Sequence, residues 1–201
     1  NELTVGFKFI SNHGKIYRRQ IVGLSGSHAF LYDNGGMIDL GTLGGTYSWA
    51  YGINDSGQIV GGSDTTGNNS RHAFLYDNGL MSDIGTLGGT ESFANDINNS
   101  GQIVGRSNIA NRNHGFLYAD GQMVDLNSLF PTGSGWTLTE AKAINNAGQI
   151  IGYGEINGQD HAFLMSPIVE SPTSVPEPAT LALLSLGLAG LGFSRKWQWC
   201  G

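Results

Sequence analysis

Apolar residues in this chain come in short runs, and each run is closed by Gly, Asn or Asp. No stretch before residue 178 places them with the 3.6-residue period of a helix. What recurs is a longer phrase. "HAFLYDNGGMIDLGTLGGT" starts at His28, "HAFLYDNGLMSDIGTLGGT" at His72, "HGFLYADGQMVDLNSL" at His114 and "HAFLMSP" at His161, with spacings of 44, 42 and 47 residues. A second phrase keeps the same beat: "AYGINDSGQIVGGS" from Ala50, "ANDINNSGQIVGRS" from Ala94 and "AKAINNAGQIIGYG" from Ala141. One period earlier lies "FISNHGKIY", with "RQIVG" at 19–23 competing for the same role.

Each period predicts four short strands. "A-x-x-I-N" is the first, and the Gly of "N-D-S-G" or "N-N-S-G" closes its turn. "Q-I-V-G" is the second, favoured by its β-branched residues. "H-A-F-L-Y" is the third, and "D-N-G" or "A-D-G" is a hairpin signal. "M-x-D-L" is the fourth, and "G-T-L-G-G-T" carries the chain onward. A four-stranded antiparallel unit every 40–50 residues is the pattern of a propeller blade. One such sheet is too thin to bury its own faces, so neighbouring units must stack. The fold expected for residues 1–165 is therefore all-β, a β-propeller-like array of about four blades. Three units are complete and the fourth lacks its "M-x-D-L" strand. The segment "ELTVGFKF" could supply that strand and close a ring. An open array, or the C-terminal part of a larger propeller, are the alternatives.

Composition narrows the function classes. Gly is 32 of 201 residues and charged residues only 13%, so the chain is rich in punctuation and poor in surface charge. The net charge is −6 and the ten Lys and Arg form no stripe, which excludes nucleic acid as a partner on electrostatic grounds. A lone Cys200 allows neither a disulfide framework nor a Cys-based metal site. The segment "NELTVGFKFI" has no basic-then-apolar leader, leaving open a removed signal peptide or a longer protein.

Over residues 9–165 the chain resembles the HAF repeat of bacterial extracellular proteins. The His-Ala-Phe triplet stands at His28, His72 and His161, and as His-Gly-Phe at His114. "G-T-L-G-G" stands at 41–45 and 85–89, while "NSLFPTGSGWTLTE" replaces it in the third unit, predicting a connection of different shape. The resemblance implies a secreted or surface β-repeat protein and no catalytic residues.

The C-terminal part departs from the repeat. Residues 166–178, "SPIVESPTSVPEP", are a Pro/Ser linker. "ATLALLSLGLAGLGF", residues 179–193, carries no charge; as a helix it would span roughly 22 Å, short of the ~30 Å hydrocarbon core. Arg195 and Lys196 follow and would stay cytoplasmic. Val175, Pro176, Glu177, Pro178 and Ala179, the apolar segment of 179–201 and its basic pair closely resemble a PEP-CTERM sorting signal, although "WQWCG" stands where further basic residues are usual. The resemblance implies a pause in the inner membrane of a Gram-negative cell through a short apolar helix. It also implies cleavage by an exosortase near Pro176–Pro178, and release to the surface or to a biofilm matrix. A plain anchor or a buried helix is the bland alternative.

Candidate chemistry is sparse. The four repeated histidines could ring an axis as metal ligands, but repetition once per unit favours a structural role, such as bonding a neighbouring blade's backbone. "INDSG", "DINNSG" and "AINNAG" hold too few carboxylates for Ca²⁺ and are ordinary turns. Asp39, Asp83 and Asp125 share one repeat position and are expected to bond turn amides. No nucleophile elbow or unrepeated carboxylate pair stands out, so no catalytic residue, cofactor or metal is assigned. Function is expected where units differ: the loops holding Arg71, Arg112 and Trp136. Trp49 and Tyr51 could stack on sugar rings, although burial between blades is their expected place. The reading is a non-enzymatic exported protein that binds a glycan or protein partner through these loops. The alternative is a polysaccharide hydrolase or lyase with catalytic residues at the ring centre or in a missing N-terminal part.

Overall fold

The computed structural model describes residues 4–7, 20–131, 133–168 and 196–199. They form four antiparallel sheets of four strands each, every one a simple meander in chain order. The first holds β1 (Thr4–Phe7), β2 (Ile21–Ser25), β3 (His28–Asp33) and β4 (Gly36–Asp39). The second holds β5 (Gly44–Ile53), β6 (Ile59–Thr65), β7 (Arg71–Asp77) and β8 (Leu80–Asp83). The third holds β9 (Ser92–Ile97), β10 (Ile103–Ile109), β11 (Arg112–Ala119) and β12 (Gln122–Asp125). The fourth holds β13 (Trp136–Ile144), β14 (Ile150–Ile156), β15 (Gln159–Ile168) and β16 (Lys196–Trp199). The hairpin turns expected at "D-N-G" and "A-D-G" carry positive φ at both central residues, 50° and 85° at Asn34 and Gly35 and 53° and 78° at Asp120 and Gly121, the backbone that matches strand twist.

Two sequence expectations change. "ELTVGFKF" does not complete the last unit: its residues Thr4–Phe7 pair with Leu24–Ile21 and open the first sheet. "RQIVG", not "FISNHGKIY", therefore supplies the second strand there. The fourth sheet takes its last strand from Lys196–Trp199, which pairs with Ile168–Met165. The third connection does differ in shape: Leu126–Leu129 is a 3-10 turn capped by Asp125, whose side chain accepts from the Asn127 amide.

Stacking follows from the two-residue period of the strands. Adjacent residues Ile59 and Val60 point to opposite faces and both are fully buried. Ile59 and Phe74 join Val22, Ala29 and Leu40 between the first and second sheets. Val60 and Ala73 join Ile97, Ile103 and Phe116 between the second and third. Val104 and Leu117 join Leu138, Ile150, Phe163 and Met165 between the third and fourth. Burying each large side chain contributes about 1.5–3 kcal/mol relative to exposure, so every sheet depends on its neighbour. Among the described residues no such cluster joins the fourth sheet to the first, and no helix is long and apolar enough to cross a membrane.

Buried serines, unnoticed in the sequence, staple the sheets. Ser48 Oγ accepts from the Ala29 amide at 2.8 Å and Ser92 Oγ from that of Ala73 at 2.8 Å. Ser63 and Ser107 accept likewise from Leu43 and Leu87, at 2.9 Å each.

Candidate functional site

The first strands of three sheets carry a bulge at one register. Ala50 opposes Gly61 and Gly52 opposes Val60, leaving Tyr51 without a partner. Asn95 is skipped between Ala94 and Asp96, and Lys142 between Ala141 and Ala143. Bulges re-aim side chains and lie beside functional sites more often than chance. Here the scaffold residues recur as Ala and Ile-Asn, while the bulge residue is a phenol, an amide and an ammonium in turn.

The residues around this row are equally unrepeated. Tyr51, Phe93, Asn95, Arg106, Glu140 and Lys142 line an open groove of about 410 Å³. The Arg106 guanidinium lies 4.9 Å from the Phe93 ring centroid, a cation–π contact. Arg106 has no carboxylate partner among the described residues. Asn95 Nδ2 donates to Glu140 Oε1 at 2.9 Å and to the Ala141 carbonyl at 2.8 Å, and Lys142 Nζ reaches Glu140 at 2.8 Å. Beside the groove, Arg71 lies 5.5 Å from the Trp49 ring centroid and donates to Asp64 at 3.0 Å. Tyr47 stacks on Trp49 at 6.0 Å. Burial raises the Tyr51 phenol above its ordinary pKa of 10.0 while Arg106 and Arg71 pull it down, so at neutral pH it remains a hydrogen-bond donor.

Trp49 and Tyr51 therefore do not lie in the core between sheets. Tyr51 is 46% exposed because the bulge turns it outward, and Trp49 is half-buried beneath Arg71. Of the loop candidates, Arg71 joins this surface. Arg112 is exposed at the start of β11, and Trp136 packs against the core of the third and fourth sheets, edge-on to His161 at 6.0 Å. Val175, Pro176, Glu177, Pro178, Ala179, Arg195 and the apolar segment 179–193 lie outside the described residues, while Lys196 begins β16.

Three of the four repeated histidines bond within their own sheets rather than to a neighbouring blade's backbone. Nδ1 of His28, His72 and His114 donates to Asp39, Asp83 and Asp125 at 2.9, 2.7 and 2.7 Å. Each carboxylate also accepts the amide two residues on, from Gly41, Gly85 or Asn127. Among the described residues no three His, Cys, Asp or Glu gather as a metal site would require. The Gly41 amide first, then His28, holds the Asp39 carboxyl below its ordinary 3.8. The folded chain binds that proton less readily than the unfolded chain. The stability it contributes is complete above about pH 4 and lost as pH falls through the folded value. Asp39→Asn is expected to cost under about 1 kcal/mol at neutral pH, Asp39 being 65% exposed. Urea titrations from pH 7 downward should show that difference shrinking toward zero in acid.

Residues 39–163 match the family model described as a protein of unknown function, DUF3466. The chain belongs to the DUF3466 family. The match covers the second and third units and most of the fourth, so the bulge row lies wholly inside the DUF3466 domain; the match does not carry the HAF-repeat name. Residues 174–196 match the PEP-CTERM protein-sorting motif. This motif marks the DUF3466 protein for an exosortase-type processing enzyme and for export to the surface of Gram-negative bacteria. The chain matches no curated protein and no solved structure.

Proposed function

We propose that this is a non-enzymatic, HAF-type repeat protein of the cell surface or extracellular matrix that binds a glycan along its bulge row. On this reading the sheets continue the geometry of a propeller, with the first strands on its inner side. The C-terminal signal pauses the chain in the inner membrane before release. One observation carries the binding reading: three bulges at one register present different side chains above a repeated scaffold. Aromatic rings of Trp49, Tyr51 and Phe93 offer stacking faces, and Arg71, Arg106 and Asn95 offer donors to hydroxyl or carboxylate oxygens. A glycoside hydrolase of the usual kind needs two carboxylates flanking the bond. Among the described residues Glu140 is the sole acid lining this groove, and it is already held by Lys142 and Asn95.

One experiment tests both halves. The full chain is co-expressed with an exosortase, and the released protein is titrated with extracellular polysaccharide by affinity electrophoresis. Release should depend on the exosortase. Trp49→Ala and Arg106→Ala should each weaken binding about tenfold, some 1.4 kcal/mol. Release without the enzyme removes the sorting reading, and unchanged mobility shifts in both variants remove the binding reading.

A further inference from the structure

Each sheet has a leading face toward the preceding sheet and a trailing face toward the next. On the trailing faces Val22, Val60 and Val104 are 0–1% exposed, Ala29 and Ala73 are 0% exposed, and Leu117 is 7% exposed, with Leu31 and Leu75 half-buried. The same repeat positions in the fourth sheet remain apolar but lie open: Ile151 is 50% and Leu164 39% exposed, with Ala162 exposed between them. At the other end of the array the pattern inverts. Tyr76 and Met81 pack against the cluster between the first and second sheets, and Tyr118 and Met123 against that between the second and third. Their equivalents on the first sheet, Tyr32 and Met37, are 37% and 56% exposed, although Phe30 beside them is buried.

The polar ladder ends at the same place. Asn54 Nδ2 donates to Gln58 and to the Asn98 carbonyl, and Asn98 Nδ2 to Gln102 and to the Asn145 carbonyl. Asn145 Nδ2 donates to Gln149 alone among the described residues. Asn145 itself is exposed, where its counterparts Asn54 and Asn98 are buried at a junction between sheets.

We propose that the trailing face of the fourth sheet binds the leading face of the first sheet of a second copy of this chain, head to tail. The contact extends the stacking of one sheet on the next already built three times inside the molecule. Ile151, Ala162 and Leu164 stand for Val60, Ala73 and Leu75, and Tyr32 and Met37 stand for Tyr118 and Met123. Such a heterologous contact repeats from copy to copy, closing into a ring or growing as a filament. An exported surface protein with this property is able to assemble by itself. The inference holds whether or not the bulge row binds sugar.

Sedimentation velocity on the full chain in a nonionic detergent tests it. The wild type should show concentration-dependent species larger than a dimer. Leu164→Glu spoils only the trailing face and Met37→Glu only the leading face. Each should weaken association about 30-fold or more, the effect of losing a central contact. Mixed one to one, the two variants should form a heterodimer and nothing larger, because each retains the face the other lacks. Ile151→Lys replaces Leu164→Glu should that chain lose its β circular-dichroism signal. A wild type that stays monomeric overturns the proposal. So does a discrete dimer lost with Leu164→Glu but kept with Met37→Glu, which would be sheet-four faces pairing with each other. Assembly persisting in both variants would place the contact in the apolar C-terminal segment, and also overturns it.

Discussion

A Gly105→Ala variant is expected to lose about 3 kcal/mol or more, the upper end of overpacking costs. A Cβ at Gly105 would overlap the Phe93 carbonyl oxygen and come within 2.9 Å of two ring atoms of Phe116. Neither neighbour has room to yield. The carbonyl belongs to the bulge that skips Asn95, and Phe116 is fully buried against the second sheet. Gly61 and Gly152 meet the carbonyls of Trp49 and Glu140 in the same way, so alanine at either should behave alike. The control is Gly36→Ala, where the new methyl meets nothing nearer than the Asp33 carbonyl at 3.7 Å. For a chain of this size 1 kcal/mol shifts the melting temperature by about 2–4 °C. Thermal unfolding should therefore place Gly105→Ala some 10 °C below the control. Coincident melting curves would mean that this backbone approach is not tight.

Removing Asn98 should be nearly as damaging, for a different reason. Its Oδ1 accepts the Ser100 and Gln102 amides, both at 3.0 Å, and its Nδ2 donates to Gln102 Oε1 and the Asn145 carbonyl. The residue is 3% exposed, so Asn98→Ala strands four partners at a junction between sheets. At a net 0.5–1.5 kcal/mol per bond, reduced where turn amides can reach water, the loss is about 3 kcal/mol. Asn98→Asp keeps the two acceptor bonds and loses the two donor bonds. It should cost about half as much if the inter-sheet rung matters as the turn does. Equilibrium urea unfolding of the two variants separates these terms, and equal losses would assign the whole effect to the donated bonds.

The strand order within each unit was legible because the alternation of apolar and polar residues and the positive-φ turn signals are local properties. "D-N-G" specifies its hairpin whatever the rest of the chain does, and the 42–47-residue beat implies units that lean on one another. Asp39, Asp83 and Asp125 were legible as turn-bonding groups, since the amide partner lies two residues on. Their histidine partners were not, because the two lie on different strands and meet only when β3 pairs with β4 and its counterparts follow.

The candidate site was less legible. Arg71 was singled out from its loop, but Arg106 and Phe93 sit inside strands that look like ordinary repeats. Tyr51 was placed in the core because large aromatic side chains are usually buried, and simple alternation cannot reveal an inserted residue. The one signal available was the Gly of "Q-I-V-G", recurring in mid-strand where no turn needs it. The sequence by itself determined the meander of each sheet, the stacking of one unit on the next and the sorting motif, since all three are carried by short contiguous patterns. Only the tertiary structure decided which unit takes the first strand, where the bulges turn side chains outward and which two faces stay uncovered. Those depend on backbone register and on contacts between residues about forty positions apart, which no local pattern encodes.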